Sequence, residues 1–454
     1  MLTNNLIKSP LRVFLRKYSK VAPKPLIITD KDVLKDIEQE TYKPRRHPGV
    51  NKVKTASLPE YYIKSIENVI EDFPLKTLVE ATNKLSAHLS RRFPPIEVGD
   101  YKERVKGIKE KVLNKHKDFK VECEEDERKL KQMVEDKTNS LIKKTVYNWK
   151  PIKYDVYTSL VYLLTRSAAE YAVLLKIFGE INQRDPEFVP RSFFDFGSGV
   201  GTGTWAVNNY WKNIFEYFNV DVSSDMNDLA QILLQGGRST GNSSLKGTFY
   251  RQFLPGRGNS YDIVLSAYSL LELPSLESRM QTVLNLWNRT QKYLIIVEQG
   301  SNASFRVVNE VRDFLLQVNS NVQSCHVFSP CPHDMECPRL LANDGTPCNF
   351  EASYYSLPIG KKLEVFKEKY SYVVLKRGPR LENDNKWPRI VRPTLVRNKH
   401  SICRVCTANG KLDELIFTAK RHGKMTYHCA RSSKWGDSLP LTLEYQNNKP
   451  DENE

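Results

Sequence analysis

Hydrophobic residues follow helical spacing in the first part of the chain and form short, separate runs in the second. Between residues 56 and 182, apolar positions recur every three or four residues, from "LPEYYIKSIENVIEDF" to "YDVYTSLVYLLTRSAAEYAVLLKIFGEI". This periodicity is typical of helices. The last segment is long and largely apolar, so we expect it to pack against the domain that follows.

From residue 190 the pattern changes to apolar runs of strand length that alternate with helical segments. Such alternation builds a mostly parallel sheet with helices on both faces. After about residue 385 the chain is rich in β-forming and basic residues, which predicts a small β domain. The predicted strands of the sheet are residues 192–197, 215–223, 261–269, 293–300 and 370–378.

The first twenty residues, "MLTNNLIKSPLRVFLRKYSK", are basic and acid-free, and the first acid of the chain is Asp30. With leucine, valine and phenylalanine among the basic residues, this composition predicts a mitochondrial presequence and a location in the mitochondrial matrix. A disordered basic tail is the alternative. The predicted division of the chain is a presequence (1–20), a basic extended arm (21–55), an N-terminal helical domain (56–182), an α/β domain (183–380) with a cysteine-rich insertion (325–350), a small C-terminal β domain (381–445) and a tail (446–454).

The net charge of +16 and the pI of about 9.3 favour a polyanionic partner, with RNA or DNA as the expected class. The alternative is a basic protein without such a partner. Residues 101–120, "YKERVKGIKEKVLNKHKDFK", hold eight basic residues against three acids, and either contact an RNA backbone or form a solvated helix face. No apolar run approaches about 18 residues, so no membrane-spanning helix and no membrane partner are expected.

A glycine-rich loop, "FFDFGSGVGTGTWAV", joins a predicted strand to a predicted helix. Asp195 precedes Gly197, Gly199 and Gly201, and a second predicted strand ends near Asp221. Glycines allow a sharp turn and close approach to a ligand, the helix N-terminus offers free N–H groups, and an acid after the second strand can bind ribose hydroxyls. The spacing is more similar to motif I of class I S-adenosylmethionine (SAM)-dependent methyltransferases than to the dinucleotide motif. A dinucleotide site and a turn without ligand are the alternatives.

Evidence for methyl transfer is weaker than evidence for SAM binding. The stretch after the fourth predicted strand reads "LSAYSLLELP", without the Asn-Pro-Pro-Tyr or Asp-Pro-Pro-Tyr sequence that grips an exocyclic amine. No cysteine lies between Cys123 and Cys325 to act as a nucleophile on a cytosine ring. Ser266, Tyr268 and Glu272 form no recognisable catalytic set. The expectation is a binding fold in which catalysis is weak or lost.

Seven of the eight cysteines lie after residue 324, and three of them fall in "SPCPHDMECPRLLANDGTPCNF". Clustered thiols in a reducing compartment indicate metal or redox chemistry. Cys331 and Cys337 are each followed by proline, as in some iron–sulfur sites. Cys348 would be the third ligand, and Cys403 or Cys406 the fourth, so a metal centre would tie the C-terminal domain to the sheet.

A zinc site in the C-terminal domain is an equally good interpretation of the spacing. Cys403, Cys406, His422 and His428 give Cys-x2-Cys-x15-His-x5-His, which is close to known zinc-site patterns. The residue spacing alone does not separate zinc from an iron–sulfur cluster.

Four stretches together carry a family resemblance: "DFGSGVGTG", "CPHDMECP", "CRVCTANGKL" and "TAKRHGKMTYHCARSSKWGD". They resemble the methyltransferase-like mitochondrial small-subunit ribosome assembly factors (methyltransferase-like protein 17 and its fungal relatives), over roughly residues 150 to 440. The resemblance implies a class I methyltransferase core and action in the mitochondrial matrix on the maturing small ribosomal subunit. It implies a [4Fe-4S] cluster held by Cys331, Cys337, Cys348 and Cys406, with Cys403 as the fallback for the fourth ligand.

The leading hypothesis is therefore an assembly factor that binds small-subunit rRNA, ribosomal proteins and other assembly factors, with SAM and the cluster as cofactors. One alternative is an active SAM-dependent rRNA methyltransferase of the same subunit, and another is a zinc-binding RNA-binding protein. A further hypothesis is an iron-sensing checkpoint in which loss of the cluster stops mitochondrial translation.

Overall fold

A nine-stranded sheet with helices on both faces forms the centre of the computed structural model. The structure describes residues 25–117, 119–146, 149–256, 259–318, 324–359, 362–382 and 384–445. The predicted presequence (1–20) and tail (446–454) lie outside the described residues. Within the described ranges, no helix is both long and apolar enough to cross a membrane.

Helices separate most of the strands between residues 192 and 355, and the described strands from residue 350 to residue 417 then follow one another without a helix. The strands are β1 (Leu26–Thr29), β2 (Thr55–Ala56), β3 (Ser192–Phe196), β4 (Glu216–Val220), β5 (Thr248–Arg251), β6 (Tyr261–Ala267), β7 (Thr290–Gln299), β8 (Cys325–Ser329), β9 (Phe350–Tyr355), β10 (Val365–Arg377), β11 (Arg389–Ile390), β12 (Leu395–Val396), β13 (Ser401–Cys406), β14 (Leu412–Phe417) and β15 (Leu441–Glu444). The helices are α1 (Lys31–Glu38), α2 (Glu60–Ile70), α3 (Leu75–Leu89), α4 (Val98–Lys115), α5 (Glu124–Thr145), α6 (Val156–Arg184), α7 (Thr202–Tyr210), α8 (Ser224–Leu234), α9 (Leu276–Asn288), α10 (Asn302–Val318), α11 (Pro338–Leu341), α12 (Ala419–His422) and α13 (Lys424–Ser432). Short 3-10 turns lie at Pro44–Arg46 and Leu270–Glu272.

The central sheet has the strand order β2-β9-β10-β7-β6-β3-β4-β5. Strands β3 to β7 are parallel where they pair, and β10 runs antiparallel to β7, β8 and β9. Both β8 and β9 pair with the same side of β10, at different points along its length. The residues between them, 330–349, therefore form an insertion at one edge of the sheet.

The inner strands are apolar on both faces because helices cover both sides of the sheet. Phe193 and Phe194 are both fully buried, yet they belong to two separate hydrophobic clusters on opposite faces. Ile295 and Ile296 on β7 are divided between the same two clusters. The predicted α/β fold is confirmed.

The longest helix, α6, runs from the glycine loop to the cysteine-rich insertion. Its N-cap is Asp155, whose carboxylate accepts a hydrogen bond from the Thr158 backbone N–H at 2.8 Å. Phe178, fully buried, packs edge-on against Phe193 of the sheet and Trp211. One helix therefore carries side chains to both candidate sites, as described below.

Helices α4 and α5 pack against each other and are otherwise largely exposed. Val112 is the single buried residue of α4, and Val134 and Thr138 are the buried residues of α5 among those that the structure describes. A helix that is polar nearly all round is stabilised weakly by packing, so its surface is available to a partner.

The segment expected to be an extended basic arm (21–55) differs from that prediction in its described part. Strand β1 pairs antiparallel with β15, and α1 buries Val33 and Ile37 against Cys429 of α13. The prediction missed α1 because its apolar positions are few, and it missed β1 because its partner strand lies more than 400 residues away in the chain.

The C-terminal domain is a four-stranded antiparallel sheet, β11-β13-β12 with β14 beside β13, covered by α13. Its own small core contains Ile390, Cys403, Val405, Leu415 and Phe417. Strand β1 and helix α1 pack on this domain, and residues of the domain lie against the cysteine-rich insertion.

Candidate functional sites: a glycine loop and a cysteine cavity

The glycine loop connects β3 to α7 and needs glycine for its backbone geometry. Gly197, Gly199 and Gly201 have φ values of +68°, +50° and +77°. These are left-handed conformations that favour glycine. A Cβ on Gly197 would also lie 2.4 Å from the Cβ of Ser269. The loop therefore tolerates no larger residue at Gly197.

Asp221 lies directly after β4 and its carboxylate holds the glycine loop in place. Its Oδ2 accepts a hydrogen bond from the Gly199 N–H at 2.9 Å, and its Oδ1 accepts one from Ser223 N–H at 2.9 Å. Burial raises the pKa of Asp221, and these two hydrogen bonds oppose the rise. A carboxylate has about four lone-pair sites, so about two remain for ligand hydroxyls.

Asp195 is buried against the start of α7 and is not exposed on the side of the loop where a ligand would bind. Its side chain is 2% exposed, and a Cβ on Gly203 would lie 2.3 Å from its Oδ2. Burial raises the pKa of Asp195 well above its usual value, and the negative charges of Asp221 and Glu170 raise it further. The structure thus brings Asp195 and Asp221 to the same loop, with Asp195 in a supporting position.

Several buried polar atoms around the loop lack hydrogen-bond partners among the described residues. They are Ser198 Oγ, Tyr250 Oη, Tyr268 Oη and Arg166 Nη2. The Tyr250 hydroxyl lies 3.9 Å from the position of a Cβ on Gly201. Buried polar groups are almost always hydrogen-bonded. Their arrangement indicates a polar ligand or ordered water at this end of the sheet.

A buried charged network on α6 lies beside the loop, and sequence reasoning missed it. Arg166 Nη1 donates to Glu368 Oε1 at 3.0 Å and its Nε donates to Glu170 Oε1 at 3.2 Å. The Tyr162 hydroxyl donates to Glu170 at 2.6 Å. The sequence signal was present, because Arg166 and Glu170 stand four residues apart in the largely apolar first half of α6.

The three residues considered for catalysis do not form one set. Ser266 Oγ is hydrogen-bonded to Ser269 Oγ at 2.7 Å, and Glu272 forms an ion pair with Arg92. Tyr268 has a left-handed backbone, φ +58°, and its ring lies 4.9 Å from the Arg166 guanidinium carbon. A left-handed non-glycine residue at a strand end is a common feature of functional sites.

Four cysteines line one small cavity between the insertion and the C-terminal domain. Cys331, Cys337 and Cys348 come from the insertion, and Cys406 comes from β13. Phe350 and Arg389 also line the cavity. Burial raises the pKa of Cys348 and of Cys406, and the other cavity thiols raise both values further. The four thiols are therefore close enough to interact electrostatically.

Cys403, the fallback fourth ligand, faces away from this cavity. Its side chain belongs to the C-terminal core, where its Sγ lies 3.6 Å from the Ala430 carbonyl oxygen. His422 and His428, the other members of the zinc interpretation, are also elsewhere. His422 Nδ1 accepts from the Thr418 N–H at 3.2 Å, and His428 is exposed beside Tyr427.

No three His, Cys, Asp or Glu side chains of the described residues converge closely enough to bind a single metal ion. This includes the four cavity cysteines. Ligands around one zinc ion sit at about 2.3 Å from it, which places sulfur atoms about 3.8 Å apart in a tetrahedron. Among the described residues, the cavity thiols do not form such a single-ion site.

Polar groups surround the cavity. The buried Arg312 donates to the carbonyl oxygens of Met335, at 2.5 Å, and His333, at 3.3 Å. His333 Nε2 lies 3.3 Å from Cys406 Sγ. Burial, and after it the positive charge of Arg312, lower the pKa of His333 to about 4. A neutral imidazole can donate a hydrogen bond to a cysteine thiolate.

The fold and the loop together define a class of protein. The order β5-β4-β3-β6-β7-β10-β8, with β10 antiparallel and a glycine loop after the central strand β3, is the class I SAM-dependent methyltransferase fold. Solved structures similar to this chain include the SAM-bound magnesium protoporphyrin IX methyltransferase of Synechocystis (14% identity, TM-score 0.29, 53% of this chain and 92% of that one). A putative RNA methyltransferase of Pyrococcus horikoshii is another (14% identity, TM-score 0.27, 46% and 82%).

Sequence comparison then gives the family. The profile of the family described as "Mitochondrial small ribosomal subunit Rsm22" matches residues 156–440. The human "Ribosome assembly protein METTL17, mitochondrial" is 34% identical over 403 residues, which are 87% of this chain and 86% of the human protein. The Saccharomyces cerevisiae "Ribosome assembly protein RSM22, mitochondrial" is 20% identical over 279 residues, 39% of this chain and 44% of the yeast protein. The chain belongs to the Rsm22 family.

Proposed function

We propose that this protein is an assembly factor of the mitochondrial small ribosomal subunit and acts in the mitochondrial matrix. In this proposal it binds small-subunit rRNA, ribosomal proteins and other assembly factors, and it carries SAM and a [4Fe-4S] cluster. Family membership supports the process and the compartment, because two similar proteins are named as mitochondrial ribosome assembly proteins. The structural observation that carries the proposal is the cavity lined by four cysteines between two domains.

The residues at the cavity fit an iron–sulfur cluster in their chemistry. Clusters of this type are held by four cysteine thiolates. Cys331, Cys337, Cys348 and Cys406 would be the ligands, and Arg312 and His333 would stabilise the thiolates by charge and by a hydrogen bond. When bound, the cluster would supply a rigid link between the insertion and the C-terminal domain, and its binding free energy would add to folding stability.

The residues at the glycine loop fit SAM. The N–H groups at the start of α7 and the remaining lone pairs of Asp221 suit the polar groups of a nucleoside. Arg166 Nη2, Ser198 Oγ and Tyr250 Oη have no hydrogen-bond partner among the described residues. The guanidinium nitrogen suits a ligand carboxylate, and the two hydroxyls suit polar ligand atoms. SAM offers matching polar groups: hydroxyls on its ribose and a carboxylate and an amine on its amino-acid part.

The same geometry favours binding without methyl transfer. Arg166, Glu170 and Glu368 are joined in a buried network beside Tyr268, at the strand ends where a methyl acceptor would have to enter. Opening that network would expose charges that are now paired in a low-dielectric interior, which is costly. The protein would then use SAM as a bound ligand that stabilises the fold.

An active rRNA methyltransferase is the second candidate, and Tyr268 is the observation that favours it. Its backbone is left-handed and its buried hydroxyl has no partner among the described residues. Glu298 lies nearby, accepting a hydrogen bond from the Leu270 N–H at 2.9 Å, and burial raises the pKa of its carboxyl to about 8. A carboxyl that titrates near neutral pH can act as a general base.

The α4–α5 hairpin is the proposed rRNA contact. Three of the five lysines of α4, Lys102, Lys106 and Lys109, are exposed and stand at positions i, i+4 and i+7 of the helix. This spacing places them on one face, where they can contact successive phosphates. Their helix is otherwise weakly packed, so the face is accessible.

The test of this function uses two single substitutions in cells that depend on the protein. Cys331→Ser is expected to impair small-subunit assembly, measured by sucrose-gradient sedimentation of mitochondrial ribosomes. Gly197→Val is expected to impair assembly while every rRNA methyl mark present in normal subunits remains. Loss of one specific methyl mark with assembly intact would favour the methyltransferase alternative. Normal assembly and normal methylation with both substitutions would reject both.

A further inference from the structure

A six-residue strap, residues 149–154, crosses the carboxyl end of the central sheet between α5 and α6. None of its residues belongs to a helix or a strand. At one side, the Trp149 indole Nε1 donates a hydrogen bond at 3.0 Å to the carbonyl oxygen of Leu271, which follows β6. At the other side, the Ser223 hydroxyl, just after β4, donates to the Tyr154 carbonyl oxygen at 2.7 Å.

The strap passes over the glycine loop because of the order of the strands. In the sheet, β3 lies between β6 and β4, and the glycine loop begins where β3 ends. A segment that is tied to the ends of β6 and β4 therefore crosses the end of β3. The side-chain contacts agree with this path. The Tyr154 ring packs edge-on against the Tyr162 ring at 5.4 Å, and a ring carbon of Tyr162 lies 3.9 Å from the position of a Cβ on Gly199.

The strap is held down by single hydrogen bonds and not by regular structure. Arg92 adds a third anchor, since its Nη2 donates to the Lys150 carbonyl oxygen at 3.2 Å while its Nη1 forms the ion pair with Glu272. The side chains of Lys150, Pro151 and Lys153 are exposed. Segments with few buried apolar contacts and single backbone hydrogen bonds are the parts of a protein that open most readily. The strap can therefore lift while the sheet beneath it stays folded.

A ligand of the glycine loop has to pass the strap to enter or leave. In open α/β sheets, ligands bind outside the carboxyl ends of the strands, which is the surface that the strap crosses. We propose that the strap is the gate of this site, closed over the bound ligand and open for its exchange; this inference rests on the proposed function, in which SAM is the ligand. A gated site exchanges its ligand slowly, which suits a protein that keeps SAM to stabilise its fold.

A gate and a simple ligand contact differ in their kinetics. When a segment has to open before passage in either direction, easier opening raises the rates of association and dissociation by the same factor and leaves the dissociation constant unchanged. Loss of a contact to the ligand raises the dissociation rate alone and weakens affinity. The experiment therefore measures both rates for radioactive SAM and the full-length protein, by rapid filtration.

Trp149→Phe removes one anchor of the strap and keeps an aromatic ring in place. Both rates should rise about fivefold, the factor that corresponds to one net hydrogen bond, while the dissociation constant stays the same. Trp387→Phe is the matched control. The Trp387 indole Nε1 donates to Asp30 Oδ2 at 3.3 Å in the C-terminal domain, so its loss should leave both rates unchanged.

Arg92→Lys is a second variant, which keeps a positive charge beside Glu272 and removes the anchor on the Lys150 carbonyl oxygen. It should raise both rates in the same way, and circular dichroism checks that each variant is folded. Unchanged rates in the folded variants, or faster dissociation with proportionally weaker affinity, would overturn the gate. Failure of the unsubstituted protein to bind SAM would instead reject SAM as the ligand of the proposed function, and with it the gate.

Discussion

Cys403 and Cys406 lie on the same strand, three positions apart, and their side chains point to opposite faces of the C-terminal sheet. Cys403 is in the core of that domain, and Cys406 lines the cavity with the three cysteines of the insertion. Because side chains alternate along a strand, two residues at an odd separation cannot share a face. This relationship selects Cys406 as the fourth candidate ligand and separates the pair that the zinc interpretation needs.

The buried ion pair between Arg389 and Glu180 is expected to hold the C-terminal domain on the core. Arg389 is 6% exposed, and besides Glu180 it donates to the carbonyl oxygens of Pro330 and Gly436 at 3.0 and 2.7 Å. Burial alone would raise the pKa of Glu180, but the charges of Arg389 and Arg184 lower it to about 2. The carboxylate is therefore ionised at physiological pH.

Glu180→Gln should lower the free energy of unfolding by about 3–5 kcal/mol, because it leaves a buried guanidinium without its counter-charge. Denaturant unfolding followed by tryptophan fluorescence measures this change. Glu60→Gln is the matched control, because Glu60 forms an ion pair with Lys64 on an exposed helix face and should show no measurable change. If the two variants have equal stability, the ion pair does not hold the domains together.

His47 should make the N-terminal segment sensitive to mild acid. Its Nδ1 accepts from the Gly49 N–H at 3.2 Å, and its Nε2 lies 2.8 Å from Ser433 Oγ, which itself donates to the Cys429 carbonyl oxygen. All three bonds are satisfied by the neutral imidazole with its proton on Nε2. Burial accordingly lowers the pKa of His47 from 6.5 to about 4.

A histidine whose pKa is lowered by folding contributes stability that is complete above pH 6.5 and is lost as the pH falls through about 4. The shift corresponds to about 3 kcal/mol over that interval. His47→Gln should remove this part of the pH dependence, measured as the difference in unfolding free energy between the two proteins at pH 7 and pH 4. A constant difference between them would show that His47 does not titrate in this range.

Two glycine-to-alanine substitutions should show whether the glycine loop needs glycine for its backbone conformation and for SAM binding. Gly197→Ala forces a side chain onto a left-handed backbone and against Ser269, so it should both destabilise the protein and abolish SAM binding measured by calorimetry. Gly107→Ala, in α4 with open space around its Cβ, should stabilise the protein by about 1 kcal/mol and leave SAM binding intact. Full SAM affinity in the Gly197 variant would place the ligand site elsewhere.

Replacing Lys102, Lys106 and Lys109 of α4 with glutamine should reduce the salt dependence of rRNA binding. Each phosphate contact contributes about one unit to the slope of log K against log salt, so the triple variant should lose about two to three units. Filter binding to small-subunit rRNA between low and physiological salt measures this. The control replaces Lys362, Lys367 and Lys369, exposed lysines at the β9–β10 end of the sheet. Equal losses in both would mean that binding is not localised on the hairpin.

The sequence predicted the centre of the fold well because buried parallel strands are continuous apolar runs. The predicted strand 192–197 corresponds to β3 (Ser192–Phe196), and 261–269 corresponds to β6 (Tyr261–Ala267). The pairing of β1 with β15 was missed, since no local pattern encodes contact between the two ends of a chain.

At the sites, the residue types could be predicted from the sequence, but the directions of the side chains could not. Spacing could not separate Cys403 from Cys406, because the choice depends on which face of β13 packs into the C-terminal core. The sequence showed Arg166 and Glu170 only as two charges in the largely apolar first half of α6. Their position beside Tyr268 depends on how α6 packs on the sheet.

The most direct test of the account is the metal content of the protein purified without oxygen, with Cys406→Ser and Cys403→Ser as a matched pair. Iron and acid-labile sulfide are measured chemically, zinc by mass spectrometry, and the cluster by its visible absorption. We expect about four iron and four sulfide per chain, retained in the Cys403 variant and lost or destabilised in the Cys406 variant. Stoichiometric zinc without iron, or loss of the metal in the Cys403 variant alone, would contradict it.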